Sequence, residues 1–168
     1  MSDRVARIER EWKRLSPRGP IEALSVSTRC RLISEHFLQA TQESLEAFDL
    51  VPFEWEVLGM LLRRGAPHEA AAGVIARETG RSSASITHRI DKLETRGLVK
   101  RRSSKEDGRV VLARLTAKGK KLAAKAAGPR IEAAGEVACA LSKAERKQLN
   151  GLLGKLLESL DPGGADDV

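Results

Sequence analysis

Residues 82–97 read SSASITHRIDKLETRG, and the fold turns on how that stretch is taken. Ile86, Ile90 and Leu93 fall at i, i+4 and i+7, which is one apolar stripe of a helix. Ser82 stands where an N-cap belongs. Upstream, a short helix is predicted over Ala70–Glu78, with Val74 and Ile75 inward and Gly80 closing it. Two short helices joined by a tight glycine-containing turn form a helix-turn-helix signature. After Gly97 the period changes. Leu98–Arg102 and Val110–Leu115 read as strands, and Ser103–Gly108 between them is polar and turn-rich, so a β-hairpin is predicted. A helix-turn-helix followed by a hairpin is a winged helix.

The flanks are helical. Val5, Ile8, Trp12 and Leu15 mark a short amphipathic helix, ended by Pro17, Gly19 and Pro20. A long helix is predicted over Glu22–Phe48, with apolar Val26, Cys30, Ile33, Phe37 and Ala40 at steps of four and three. Asp49–Pro52 is a turn, and a further helix over Phe53–Arg64 carries Val57, Leu58, Leu61 and Leu62. Thr116 caps a helix running toward Ala127, and Gly128-Pro129 predicts a break or kink. Ser142 and Glu145 match a capping box that opens a leucine-rich last helix. The fold class is therefore mainly α with a small β-hairpin wing. One domain is expected: an extra N-terminal helix (1–16), a winged-helix lobe (53–116), and helices at 21–48 and 120–160. Those two regions carry more apolar surface than a lone winged helix can bury; their stripes can pack on each other or on a second copy, and a homodimer is the expectation.

Charge is concentrated. The chain has a formal net charge of +7. Residues 81–121 hold 13 Lys and Arg against 4 Asp and Glu, a net of +9, while the remainder holds 17 against 19, a net of −2. A basic block of this kind implies a polyanionic partner, double-stranded DNA above all. Small residues at the leading end of the 82–97 helix allow close approach, and free N–H groups with the positive end of the dipole favour phosphate. Ser82, Ser83, Ser85, Thr87 and His88 are the candidate DNA-facing edge, with Arg89 between that edge and the core. Lys100, Arg101, Arg102 and Lys105 are candidates for phosphate contacts. Arg109 is a wing arginine suited to the minor groove, with Asp107 placed to hold it.

Other classes are disfavoured. His36, His68 and His88 are scattered, no HExxH occurs, and GLLGKLL lacks P-loop spacing, so no enzyme is expected. Neither a catalytic residue, a metal site nor a cofactor is assigned. Cys30 and Cys139 are isolated thiols, consistent with a reducing cytoplasm, and Cys30 is expected to pack in a core. The charged N-terminus is unlike a signal peptide, and no membrane-spanning run is present.

The stretch SSASITHRIDKLETRGLVKRRSSKEDGRVVLARLTAKGKKL resembles the MarR family of winged-helix regulators. It holds the recognition helix, the LETRGLV helix end, the wing EDGR and the LTAKG start of the next helix, and the similarity runs over about Ile21–Leu160. The resemblance implies an obligate dimer held by its terminal helices. It also implies binding to a palindromic operator, usually as a repressor released by a small ligand. The extra N-terminal helix looks like the urate-responsive branch of the family. That branch implies ligand-binding roles for Trp12, Glu56, Arg89 and Arg101, and an anionic or aromatic, urate-like effector. It carries aspartate where this chain has Glu56, one methylene longer. The rival expectation is a non-specific architectural DNA-binding protein without an effector, working like the first on the nucleoid.

Overall fold

The computed structural model describes residues 3–104 and 110–161, the side chain of Ser83 excepted. Two compact units emerge, divided between Ala40 and Thr41.

In the first unit, α1 (Arg4–Leu15) is capped by Asp3, whose carboxylate accepts from the Ala6 N–H at 2.8 Å. It lies on the first part of α2 (Ile21–Glu46). Val5, Ile21 and Ser25 are buried between them. Arg29 donates to both Asp3 oxygens at 2.9 and 3.2 Å, and the Ser25 hydroxyl donates to Glu9 at 3.0 Å. This docking leaves the apolar stripe of α2 uncovered and corrects the expectation that Cys30 packs in a core. Cys30 is exposed, and Val26 and Ile33 remain 49% and 48% exposed. The face that meets α1 is the neighbouring one, through Ile21 and Ser25. A periodic apolar stripe reports that something covers it, and the obvious covering in one chain, α1, lies elsewhere.

The second unit opens with the last turn of α2. Three backbone hydrogen bonds end that helix in one turn: Phe48 N–H to Leu45 O, Asp49 N–H to Glu46 O and Leu50 N–H to Leu45 O. Asp49 takes φ of 50°, a left-handed conformation that aspartate tolerates. The helix stops two residues short of the expected Phe48 for this reason. Pro52 then begins α3 (Pro52–Arg63), and the Glu54 carboxylate accepts from the Val51 N–H at 3.2 Å. Next come β1 (Glu69–Ala71), α4 (Ala72–Glu78), α5 (Ser83–Thr95), β2 (Val99–Ser103) and β3 (Val111–Leu115).

The sheet is antiparallel with order β1-β3-β2. Val99 pairs with Leu115 and Ser103 with Val111 across the hairpin, while Glu69 pairs with Arg114 and Ala71 with Leu112 on the other edge. The sheet thus has a third strand beyond the expected hairpin, and α4 begins at Ala72 rather than Ala70. Three residues are too few to show a period of two, so β1 is defined by its partner, not by its own pattern. Ile86, Ile90 and Leu93 seat α5 on the core, together with Val57, Leu58, Leu61, Ile75 and Leu98, all buried.

Thr116 caps α6 (Ala117–Val137), accepting from Gly119 N–H at 3.0 Å and donating to Gly97 O at 2.8 Å. The expected break at Gly128-Pro129 does not occur, because α6 runs through Pro129 to Val137. Proline removes one intrahelical bond, and the alanine-rich residues on both sides are strong enough helix formers to carry the helix past it. The helix α7 (Lys143–Leu160) opens on a reciprocal capping box between Ser142 and Glu145, at 2.8 and 3.3 Å. No residue of α7 is buried. Among the described residues, no helix is long and apolar enough to cross a membrane.

Candidate nucleic-acid interface

Gly80, at φ 63°, turns the chain between α4 and α5, and Arg81 N–H bonds back to Ala76 O at 2.9 Å. Ser82 caps α5 by accepting from Ser85 N–H at 3.3 Å. Its first turn contains no acidic residue, so the positive end of the helix dipole is uncompensated there. Ser82, Ala84, Thr87 and His88 are exposed, and Ser85 is half-buried. His88 points away from the stripe that holds the helix, since Ile86 and Ile90 lie about 160–200° around the axis from it at ~100° per residue. The result is a helix anchored on one side and presenting small and hydrogen-bonding side chains on the other.

Side-chain contacts grip both flanks of α5. On one flank Glu56, from α3, receives Arg81 at 3.1 Å on one oxygen and Arg89 at 3.3 Å on the other. The Arg89 guanidinium also sits 4.6 Å from the centre of the Phe53 ring, a cation–π contact. Its side chain is only 18% exposed. On the other flank Arg101, from β2, pairs with Asp91 and with Glu94 at 3.1 Å, and donates to the Thr87 carbonyl at 3.3 Å. Its own backbone N–H donates to Glu94 at 2.8 Å. Hydrogen bonding to Asp91 is the main reason its guanidinium holds its proton more tightly than usual. Glu56 and Arg89 are therefore brought together, and Arg101 is directed to a different set of carboxylates. Trp12 lies on α1 in the first unit, 45% exposed.

Toward the wing, Arg102 forms a two-pronged contact with Glu69 of β1, at 2.7 and 2.8 Å. Lys100 is exposed on β2. Lys105, Asp107 and Arg109 lie outside the described residues, as does the side chain of Ser83.

A third grip has no counterpart in the sequence patterns. Arg96, which caps the far end of α5, donates to Glu54 at 2.6 Å and to the carbonyl and carboxylate of Asp49 at 2.5 and 2.8 Å. Glu54 is only 4% exposed. A basic residue before Gly97 reads in one dimension as ordinary helix-end chemistry. Its partners lie 42 and 47 positions away, and no local pattern signals them.

Comparison with known proteins fits this geometry. The MarR family model matches residues 49–110, the segment from the Asp49 turn to the residue before β3. The HTH-type transcriptional regulator PecS of Dickeya dadantii is 26% identical over 156 residues, covering 93% of this chain and 94% of that protein. The transcriptional repressor MprA of Escherichia coli is 26% identical over 149 residues, covering 89% and 84%. Among solved structures, the Staphylococcus aureus MepR–DNA complex is similar with a TM-score of 0.72 and 26% identity, over 79% of this chain and 96% of that one. With a winged helix-turn-helix seated in this way, the chain is similar to the MarR family of transcriptional regulators.

Proposed function

We propose that this chain is a homodimeric repressor that reads a palindromic operator through α5 and is released by a small anionic or aromatic molecule. The observation that carries the reading is the leading edge of α5. It is exposed, free of acidic residues in its first turn, lined by Ser82, Ala84, Thr87 and His88, and braced on both flanks. A braced helix can discriminate between bases because its hydrogen-bonding groups are held in place before contact. MepR has been captured with DNA and MprA acts as a repressor, which supports carrying both ideas to this chain. Dimerisation is supported by the leucines of α7 and by Val26, Cys30 and Ile33 of the α2 stripe, all exposed in a single chain. Work on the nucleoid, in the cytoplasm, follows from the same reading.

The effector reading rests on Glu56, Arg81 and Arg89. Two guanidiniums share one carboxylate beside the Phe53 ring, so an anionic planar ligand can compete for the arginines that Glu56 holds. Arg101 enters it as the residue that ties the wing to α5, and Trp12 as the aromatic candidate.

Fluorescence anisotropy with the DNA upstream of the protein's own coding sequence tests the first part. Tighter binding than to a scrambled duplex at matched salt is expected, and equal affinity would favour the architectural reading. His88→Ala is expected to cost about 1–3 kcal/mol on the operator if it contacts a base. A thermal-shift screen with urate and aromatic acids tests the second part. Glu56→Gln and Trp12→Ala are expected to change the response to a hit more than they change DNA affinity.

A further inference from the structure

The helix α1 carries Arg4, Arg7, Arg10, Lys13 and Arg14 within twelve residues, against Glu9 and Glu11. The fold draws the acids of this region inward or along the helix. Asp3 is taken by Arg29, and Glu9 by Lys13 at 2.8 Å and Ser25 at 3.0 Å. Lys13 is also within 3.7 Å of Glu22 on α2. Val5 is buried against α2 and Ile8 is half-buried, while Trp12 and Leu15 at the far end of the same side stay exposed. At ~100° per residue, Arg7, Arg10 and Arg14 fall within about 60° of arc on the side away from Val5, Ile8 and Trp12. All three are exposed. Among the described residues, Arg10 and Arg14 have no carboxylate within ion-pair distance, and Arg7 reaches Glu11 only at 3.9 Å.

Three guanidiniums in a row, of which only Arg7 has a carboxylate, Glu11 at 3.9 Å, are suited to phosphate, which guanidinium binds through two parallel hydrogen bonds. From Arg7 to Arg14 the ridge is about 10 Å long at ~1.5 Å rise per residue. One strand of a duplex presents roughly three phosphates over that axial length. A lipid surface fits less well. Amphipathic helices bind membranes through their apolar side, and the Val5 end of that side of α1 is engaged with α2, whereas the arginine ridge lies opposite it.

We infer that the Arg7–Arg10–Arg14 ridge is a second duplex-DNA contact surface, gripping backbone phosphates without reading sequence. The inference rests on the DNA-binding reading of α5. It assigns to α1 a role in affinity and salt dependence that α5 does not need.

The test measures equilibrium binding of the full chain to a mixed-sequence duplex across a KCl series. The triple variant Arg7→Gln, Arg10→Gln, Arg14→Gln is expected to bind more weakly. The slope of log K against log salt should become shallower by about 0.9 for each phosphate that is no longer neutralised. Arg7→Lys, Arg10→Lys, Arg14→Lys is expected to retain most of the slope. Single Arg10→Gln and Arg14→Gln variants are expected to lower it by up to about 0.9 each, so the outcome survives poor folding of the triple variant. Unchanged slope and affinity in the well-folded Gln variants overturn the inference while leaving the α5 reading intact. So does an effect confined to binding of phosphatidylserine vesicles. A wild-type chain that binds no duplex overturns both.

Discussion

Gly119 shows how much one hydrogen atom in place of a side chain can decide. It lies in the first turn of α6, and a Cβ built there lands on the Leu98 carbonyl. That close approach lets Thr116 cap α6 while bonding to Gly97 and Leu98 at the end of α5. Gly119→Ala is expected to destabilise the protein by about 2 kcal/mol, an overpacking cost, read as a lower urea midpoint with little change in the slope. Glu54 makes the complementary case with charge. Its carboxylate is buried and is held by Arg96 and the Val51 N–H. Arg96→Met is expected to cost about 3 kcal/mol, because the carboxylate is left without its cation. Adding Glu54→Leu should recover much of the loss. A double variant as unstable as the single one would show that Arg96 acts through Asp49 instead.

Among the elements, α5 and α1 show two ways of fixing a helix. Apolar residues seat α5, and Arg89, Arg96 and Arg101 then brace it from α3, the Asp49 turn and β2. By contrast, α1 rests on little buried apolar surface and leans on ionic contacts at its edges. Arg29 bonding holds the Asp3 carboxyl below its ordinary range, and Lys13 does the same for Glu9. A carboxyl depressed in the folded state contributes stability that is fully present above its ordinary value, near pH 4, and is lost as pH falls through the folded value. Acidification below about pH 4 is therefore expected to loosen α1 from α2. Trp12 fluorescence in a Trp55→Phe background reads this directly. Its spectrum should stay constant from neutral pH to about 5 and shift on further acidification. Asp3→Asn should weaken the docking already at neutral pH. Identical titration curves for the two proteins would remove Asp3 from the account.

For the molecule as a whole, the uncovered apolar surface is the dominant fact. Leu149, Leu152, Leu153, Leu156, Leu157 and Leu160 of α7 are all exposed, as is Ile131 of α6. Single scattered exposures are ordinary, whereas a leucine run along one helix marks an interface. On the proposed dimeric reading, Leu153→Gln with Leu156→Gln is expected to yield a monomer in sedimentation and to weaken operator binding by at least about tenfold, or 1.4 kcal/mol, because two linked half-site contacts would become one. A variant that stays dimeric would move the interface to another face.

Patterns that repeat within a few residues were legible in the chain: the Ile86, Ile90 and Leu93 stripe, the Ser82 and Thr116 caps, the Ser142–Glu145 box, the two hairpin strands and the basic block at 81–121. Each follows from local backbone geometry, where spacing alone determines which side chains meet. Whatever depends on distant partners was not legible. The edge strand β1 exists through β3, Arg96 acts through Glu54 and Asp49, and Arg101 turns to Asp91 and Glu94 while Glu56 takes Arg81 and Arg89. A charge in a sequence specifies what it can bind. Only the packing of the elements selects which opposite charge is near enough to bind it, since ionic attraction and hydrogen bonding act over a few ångströms while the partners are dozens of residues apart along the chain.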